Sequence, residues 1–124
     1  VAKPLFTWML NGIAMGHRII VQVSDADKVS NAIVSCRNLI DDMPDAEIEV
    51  VFHQSAIEAT MRGTPVEPDV MDLMRRGIKV VACRNSMRAR NINEEKLING
   101  VSIVKAGVGE IVRRQAEGWI YLRL

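Results

Sequence analysis

Between Arg18 and the C-terminus, short β-branched runs and amphipathic stretches follow one another five times, joined by connections of a few residues. Arg18-Ile19-Ile20-Val21-Gln22-Val23 is almost wholly apolar, as a strand buried on both faces requires. Ser24-Asp25-Ala26-Asp27 reads as a helix start. The Ser24 hydroxyl can accept from a free N–H, and Asp25 and Asp27 suit the positive end of the helix. Val29, Ile33, Cys36 and Ile40 then recur at helical spacing, and Met43-Pro44-Asp45 closes the segment. Further strands are expected at 48–52, 78–83, 101–104 and 119–122. Between them, Ala56, Ile57 and Met61 suggest a short helix. Val70, Leu73 and Met74 mark a second after Pro68, with Gly77 as its left-handed cap. A short helix follows from Asn85 to about Arg90, then a turn opened by Asn93-Glu94-Glu95. Gly107-Val108-Gly109 leads into the last helix, read with Val108, Ile111 and Val112 inward and Arg113 and Arg114 outward.

Parallel strand pairs need long crossovers, and right-handed helical crossovers place helices on both faces of one sheet. The expected fold is therefore α/β: a three-layer α/β/α, flavodoxin-like open parallel sheet of about five strands. The chain of 124 residues suits one such domain, over 17–124. Residues 1–16 read as an N-terminal extension that packs on a neighbour, or as a cloning or start-site addition. Their uncharged stretch is shorter than a bilayer span and is broken by Asn11 and Gly12. No small-residue cleavage site follows it cleanly, which disfavours a trimmed signal peptide. A net charge of +1 and 4% aromatic residues argue against nucleic-acid and membrane partners.

In open parallel sheets, ligands gather at the carboxyl ends of the strands where strand order reverses. That rule selects Ser24, Asp25, His53, Gln54, Cys83, Asn85 and Gly107. Cys83 is the most informative of these, since it ends a strand just ahead of a helix start, where amide N–H groups favour a thiolate. Arg84, Arg88 and Arg90 add positive potential nearby. The plain alternative is a small apolar filler, because cysteine is often buried. Cys36 lies on the apolar stripe of its helix and reads as core. His53 could serve as an acid or base, although a lone histidine is more often structural. Gly107 and Gly109 could cradle an anion with backbone N–H groups, or simply make a tight turn. The two cysteines lack zinc-site spacing, so no metal and no cofactor is expected. Free thiols are favoured over one disulfide. Arg75-Arg76 and Arg113-Arg114 read as solvated helix ends.

The segment Ile78-Lys79-Val80-Val81-Ala82-Cys83-Arg84-Asn85-Ser86-Met87-Arg88-Ala89 resembles the cysteine strand and loop of the DsrE/DsrF-like family. The run from Gly107 to Tyr121, ending Gly118-Trp119-Ile120-Tyr121, resembles the C-terminal signature of a subgroup of small members. The resemblance extends from about Arg18 to the C-terminus. It implies a flavodoxin-like fold, a cytoplasmic setting and a homo-oligomer of two to six copies. It also implies a sulfur relay in which the cysteine on this loop takes a persulfide sulfur from a donor protein and hands it to an acceptor. Cys83 matches that cysteine, but the Gly-Trp-x-Tyr ending differs from that of the relay members.

Two functions are carried forward. In the first, Cys83 is a persulfide carrier whose charged sulfur is stabilised by the Asn85 and Ser86 N–H groups, with Arg84 or Arg88 steering an anionic partner. That reading requires the sulfur to be reachable from water. In the second, the loops at Ser24-Asp25, 83–88 and 107–109 bind an anion or nucleotide without bond chemistry. His53 is kept as a further candidate binding residue. Exposed apolar side chains at Trp119, Ile120, Tyr121 and Leu122 are expected to mark a self-association surface.

Overall fold

The computed structural model describes residues 16–124. The expected extension, apart from Gly16, lies outside the described residues. Five parallel strands form one sheet in the order β4-β3-β2-β1-β5: β1 Arg18–Val23, β2 Glu47–Phe52, β3 Lys79–Cys83, β4 Ser102–Val104 and β5 Ile120–Arg123. Four α-helices connect them: α1 Val29–Asp42, α2 Glu67–Arg75, α3 Arg84–Ala89 and α4 Gly107–Ala116. Short 3₁₀ segments lie at Ala26–Lys28, Gln54–Thr60 and Glu94–Lys96.

Strand periodicity assigns the two faces. Ile19, Val21, Val23, Ile48, Val50, Phe52 and Val80 pack with Val29, Ala32, Ile33 and Cys36 of α1 and Val70 and Leu73 of α2. Ile20, Val51 and Val81 point the other way and meet Ile111 of α4 and Trp119. This is the expected three-layer α/β arrangement. Gly77 takes the left-handed backbone (φ +89°) expected of a helix cap.

The last helix corrects the sequence reading. Val108 and Val112 face out, 57% and 64% exposed, whereas Gly107, Glu110 and Ile111 are buried and Arg114 is turned inward. The inward stripe is therefore Gly107, Glu110, Ile111 and Arg114, at i, i+3, i+4 and i+7. A polar stripe can face the sheet because β2 presents a carboxylate there: Glu49 is fully buried in the middle strand. Arg76 is likewise no free helix end. It bridges Asp72 at 3.0 Å and Asp41 at 2.8 Å.

Strands β1 to β4 step outward in chain order, and the chain then returns across the sheet to β5 at the opposite edge. The exit from β3 leads into α3, whose Met87 packs with Ala82 and Ile57. The exit from β4 leads into α4 on the other face. These two neighbouring carboxyl ends therefore diverge, which makes this the topological switch point of the sheet.

Candidate functional site at the carboxyl ends of β2, β3 and β4

Cys83 ends β3 at that switch point. It pairs in register with Val104 of β4 and occupies the N-cap position of α3 in an extended conformation (φ −84°, ψ 117°). The Asn85 N–H donates to the Lys105 carbonyl at 3.3 Å, which ties the start of α3 to the loop after β4. From the other side, the first residue of α4 closes against the sheet. A Cβ added at Gly107 would lie 3.1 Å from the His53 Cβ, 3.1 Å from the Val51 Cγ1 and 3.3 Å from the Cys83 Cβ. A side chain here would have to push its neighbours aside, so glycine lets the helix terminus approach this closely.

The residue is only 5% exposed, so the openly water-accessible thiol that the sequence reading requires is not found. The sulfur is nevertheless not in an apolar shell. Burial is the largest single influence on the thiol and raises its pKa. The Ser86 hydroxyl and the backbone N–H groups of Gly107, Ser86 and Asn85 oppose burial and outweigh it, so the thiol ends below its ordinary value. The sulfur closes no side-chain cap bond of standard geometry. These groups therefore act as a convergent field of N–H and O–H dipoles. Cys36 is the internal contrast. Burial in the α1 face of the core pushes its thiol up to about 12, with no opposing donor. Both cysteines are free thiols, which removes the disulfide alternative.

The loop after β2 organises the site. His53, Gln54 and Ser55 each reach a different neighbour. His53, buried at the strand end, lies 2.9 Å from the Gln22 side-chain amide through its Nε2. The Tyr121 hydroxyl donates to Gln22 Oε1. That leaves the Gln22 amide N–H to donate to His53 Nε2 and assigns the ring proton to Nδ1. Burial, assisted by the charge on Arg123, holds the His53 pKa below its ordinary value, so the ring is neutral. With Nε2 occupied by a donor, His53 is placed as an oriented neutral imidazole. Gln54 adopts a left-handed backbone (φ +52°) and donates its N–H to the Ser86 Oγ at 2.7 Å. Such a conformation costs a non-glycine residue roughly 1–3 kcal/mol and persists where its surroundings fix it. Ser55 Oγ accepts from the Ala26 N–H at 2.8 Å. The hydroxyl that caps the first turn thus comes from Ser55, and the cap expected from Ser24 is not formed. The Ser24 Oγ instead accepts from Arg123 at 3.3 Å.

Of the residues expected at the site, Cys83, Asn85, Ser86, His53 and Gly107 come together. Asp25 is an exposed residue at the N-cap of the Ala26–Lys28 turn, and Ser24 stands beside it above β1. Gly109 is not part of the cradle, because a Cβ there would meet only the Arg113 guanidinium, 3.3 Å away. Arg84 pairs with Glu94 at 2.9 Å in a surface ion pair, and Arg88 is exposed. The sequence reading passed over Gln22, Tyr121 and Ser55. Gln22 and Tyr121 are 99 residues apart, and no local pattern links them. Surface depressions of about 590 and 660 Å³ lie at the β4 edge near Arg62 and Gly100 and around 42–46. Neither reaches Cys83.

The family model for the DsrE/DsrF-like family matches residues 17–124. The chain belongs to the DsrE/DsrF-like family. Among solved structures, it is similar to a protein of unknown function from Methanobacterium thermoautotrophicum, at 35% identity and a TM-score of 0.83, covering 87% of this chain and 99% of that one. It also shares its fold with the ychN protein from E. coli (17% identity, TM-score 0.78, covering 87% and 99%). A conserved protein of unknown function from Bacteroides thetaiotaomicron has the same fold (14% identity, TM-score 0.70, covering 86% and 94%). Among curated proteins, none matches. No helix of the described residues is long and apolar enough to cross a membrane.

Proposed function

We propose that this DsrE-like chain carries sulfane sulfur as a persulfide on Cys83. The observation behind this reading is the placement of the Cys83 thiol at the N-cap of α3, with the first residue of α4 closed against it, at the topological switch point; the nearby N–H groups and the Ser86 hydroxyl lower its pKa. The Cys83 thiolate attacks the outer sulfur of a donor persulfide R–S–SH. The new Cys83 S–S bond forms as the donor S–S bond breaks, and R–S⁻ leaves with the bonding pair. The sulfane sulfur keeps its oxidation level, so no oxidant or reductant is needed. The bound persulfide bears its charge on the outer sulfur, about 2 Å further along the side chain than Sγ. An acceptor thiolate then attacks that outer atom; the acceptor S–S bond forms as the Cys83 S–S bond breaks, and the Cys83 thiolate is returned. Free thiols suit a reducing, intracellular setting.

Intact-mass spectrometry after incubation with a small persulfide donor tests this. The expected result is one added sulfur per chain, lost in Cys83→Ser and retained in Cys36→Ser. Absence of the adduct, or equal loading of Cys83→Ser, overturns the reading. The same N–H array would suit a small anion held without bond chemistry. Thermal stabilisation by phosphate or a nucleotide that persists in Cys83→Ala would favour that alternative. Self-association also belongs to the proposal. Trp119, expected on this surface, is instead buried in the core under α4, but Ile120 and Tyr121 are 50% and 40% exposed on β5, an edge strand of the kind that recruits a partner. A monomeric mass by light scattering removes that part.

A further inference from the structure

On the α4 face of the sheet, Glu49 is fully buried in the middle strand. The groups around it come from every element packed there. From α4, Glu110 and Arg114 face it, with Arg113 and Glu117 at the rim. From β3 comes Lys79, its partner in register. From β1 come Ile20, its other register partner, and Arg18, whose guanidinium lies over the Trp119 ring at 5.6 Å. Arg114 covers the same ring at 4.9 Å. The Arg114 Nε is 3.1 Å from Glu49 Oε1 and also 3.1 Å from Glu110 Oε2. Its Nη1 goes to Glu117 at 3.0 Å, and Arg113 reaches the other Glu110 oxygen only at 3.6 Å. Glu49 Oε2 and the Trp119 indole N–H find no hydrogen-bond partner among the described residues.

One N–H cannot satisfy two carboxylates, and a second charge in this site would lack both solvent and donors. We propose that Glu49 and Glu110 hold one proton between them, carried by Glu49, and that its release as pH rises loosens α4 and with it the Gly107 terminus at Cys83. The shared stripe of α4 makes the connection: Gly107 abuts Cys83 while Glu110 and Arg114 seat the same helix on Glu49. Burial, then hydrogen bonding and repulsion from Glu110, raises Glu49 from its ordinary 4.5 to about 7. The bond to Glu49 holds Glu110 below its ordinary value. When α4 lifts, Glu49 regains its ordinary acidity. Between about pH 4.5 and 7 the closed form therefore holds one proton more than the open form. Opening releases that proton to solvent and grows by up to about tenfold per pH unit across this window, levelling off above it. His53 works in the opposite sense, because its lowered pKa makes folding more favourable as pH rises toward the ordinary histidine value. A local readout on α4, referenced to a Glu49 variant, separates the two.

Hydrogen exchange of the α4 amides, corrected for intrinsic rates, is measured from pH 5 to 8 in the full chain and in Glu49→Gln. In the wild type, protection should fall by up to about tenfold per pH unit to near pH 7 and then level. In Glu49→Gln, a neutral isostere of the protonated acid, it should be flat. Carbon-13 titration of the glutamate carboxyls in the wild type supplies a second test without a mutation, with one carboxyl expected to titrate near neutrality. Absence of such a carboxyl overturns the shared proton. A titrating carboxyl with pH-independent α4 protection, or equal slopes in both proteins, overturns the coupling to α4. Neither measurement involves sulfur transfer, so their outcome is independent of the persulfide reading.

Discussion

Replacing Gly107 with alanine isolates how closely α4 must approach the thiol. The added methyl would meet the Cβ atoms of His53 and Cys83 and the Cγ1 of Val51 at 3.1–3.3 Å. All three residues are buried, and none of these atoms is the far end of a flexible side chain. Overpacking of this kind costs about 1–3 kcal/mol. Alanine also favours the helical state over glycine, by at most about 1 kcal/mol in a helix interior and less at a first helical position. The contact effect therefore wins, and Gly107→Ala is expected to lower stability by about 1–2 kcal/mol, a fall in Tm of roughly 4–10 °C. Because the methyl pushes the Gly107 N–H away from the sulfur, the Cys83 pKa should rise at the same time. Thermal unfolding by circular dichroism gives the first quantity, and the pH dependence of iodoacetamide alkylation gives the second. Gly109→Ala serves as the control. Its methyl faces only the mobile Arg113 guanidinium, so it should be neutral or slightly stabilising, with the thiol unchanged. A Gly107→Ala protein as stable as the wild type, with the same thiol pKa, would refute the close-approach argument.

Two further outcomes follow from the buried chemistry. In the native protein at pH 8, alkylation should label Cys83 and leave Cys36 untouched, because the Cys36 thiol is pushed up to about 12; peptide mapping that finds Cys36 modified before unfolding contradicts this. Arg114→Met should destabilise the fold by about 3 kcal/mol, the lower end for breaking a buried ion pair, since Glu49 can take up a proton. Urea unfolding within 0.5 kcal/mol of the wild type, taken as roughly the spread of an ordinary surface substitution, would show that the cluster does not seat α4.

The strands were legible because each is a short β-branched run bounded by a turn residue, and β1 was delimited at Arg18–Val23 from that signal alone. Cys83 was legible for the same reason: a strand end followed by a helix start has few places to lie in a parallel sheet. What escaped the sequence reading is set by contacts distant along the chain. Glu49 within Glu47-Ile48-Glu49-Val50 looks like ordinary alternation, and its partner Arg114 is 65 residues away. Without that partner in view, the phase of α4 was assigned from its valines, and the helix came out turned. Ser24 and Ser55 are equally good capping residues by type. The choice between them depends on how the 3₁₀ segment after β2 lies against the β1 exit. The left-handed backbone of Gln54 carries no local glycine or asparagine signal and arises from its bond to Ser86.

The observed phase of α4 sets what holds this helix on the sheet. With its valines inward, α4 would be seated by dispersion and apolar burial alone, which respond weakly to pH. With Glu110 and Arg114 inward, its seating depends on the charge state of an acid within the middle strand, while its first residue meets the thiol. Apolar contacts on this face are few: Ile20, Val51, Val81, Ile111 and Trp119, against the much larger cluster under α1 and α2. A helix held by so little apolar area is where a single proton can have leverage, since a few kcal/mol is a large share of a local opening free energy. The outward Val108 and Val112 lie on the same helix as Gly107. Any contact made there by a second copy or a transfer partner would act on the N–H that Cys83 depends on. Partner binding and protonation would reach the sulfur through one lever.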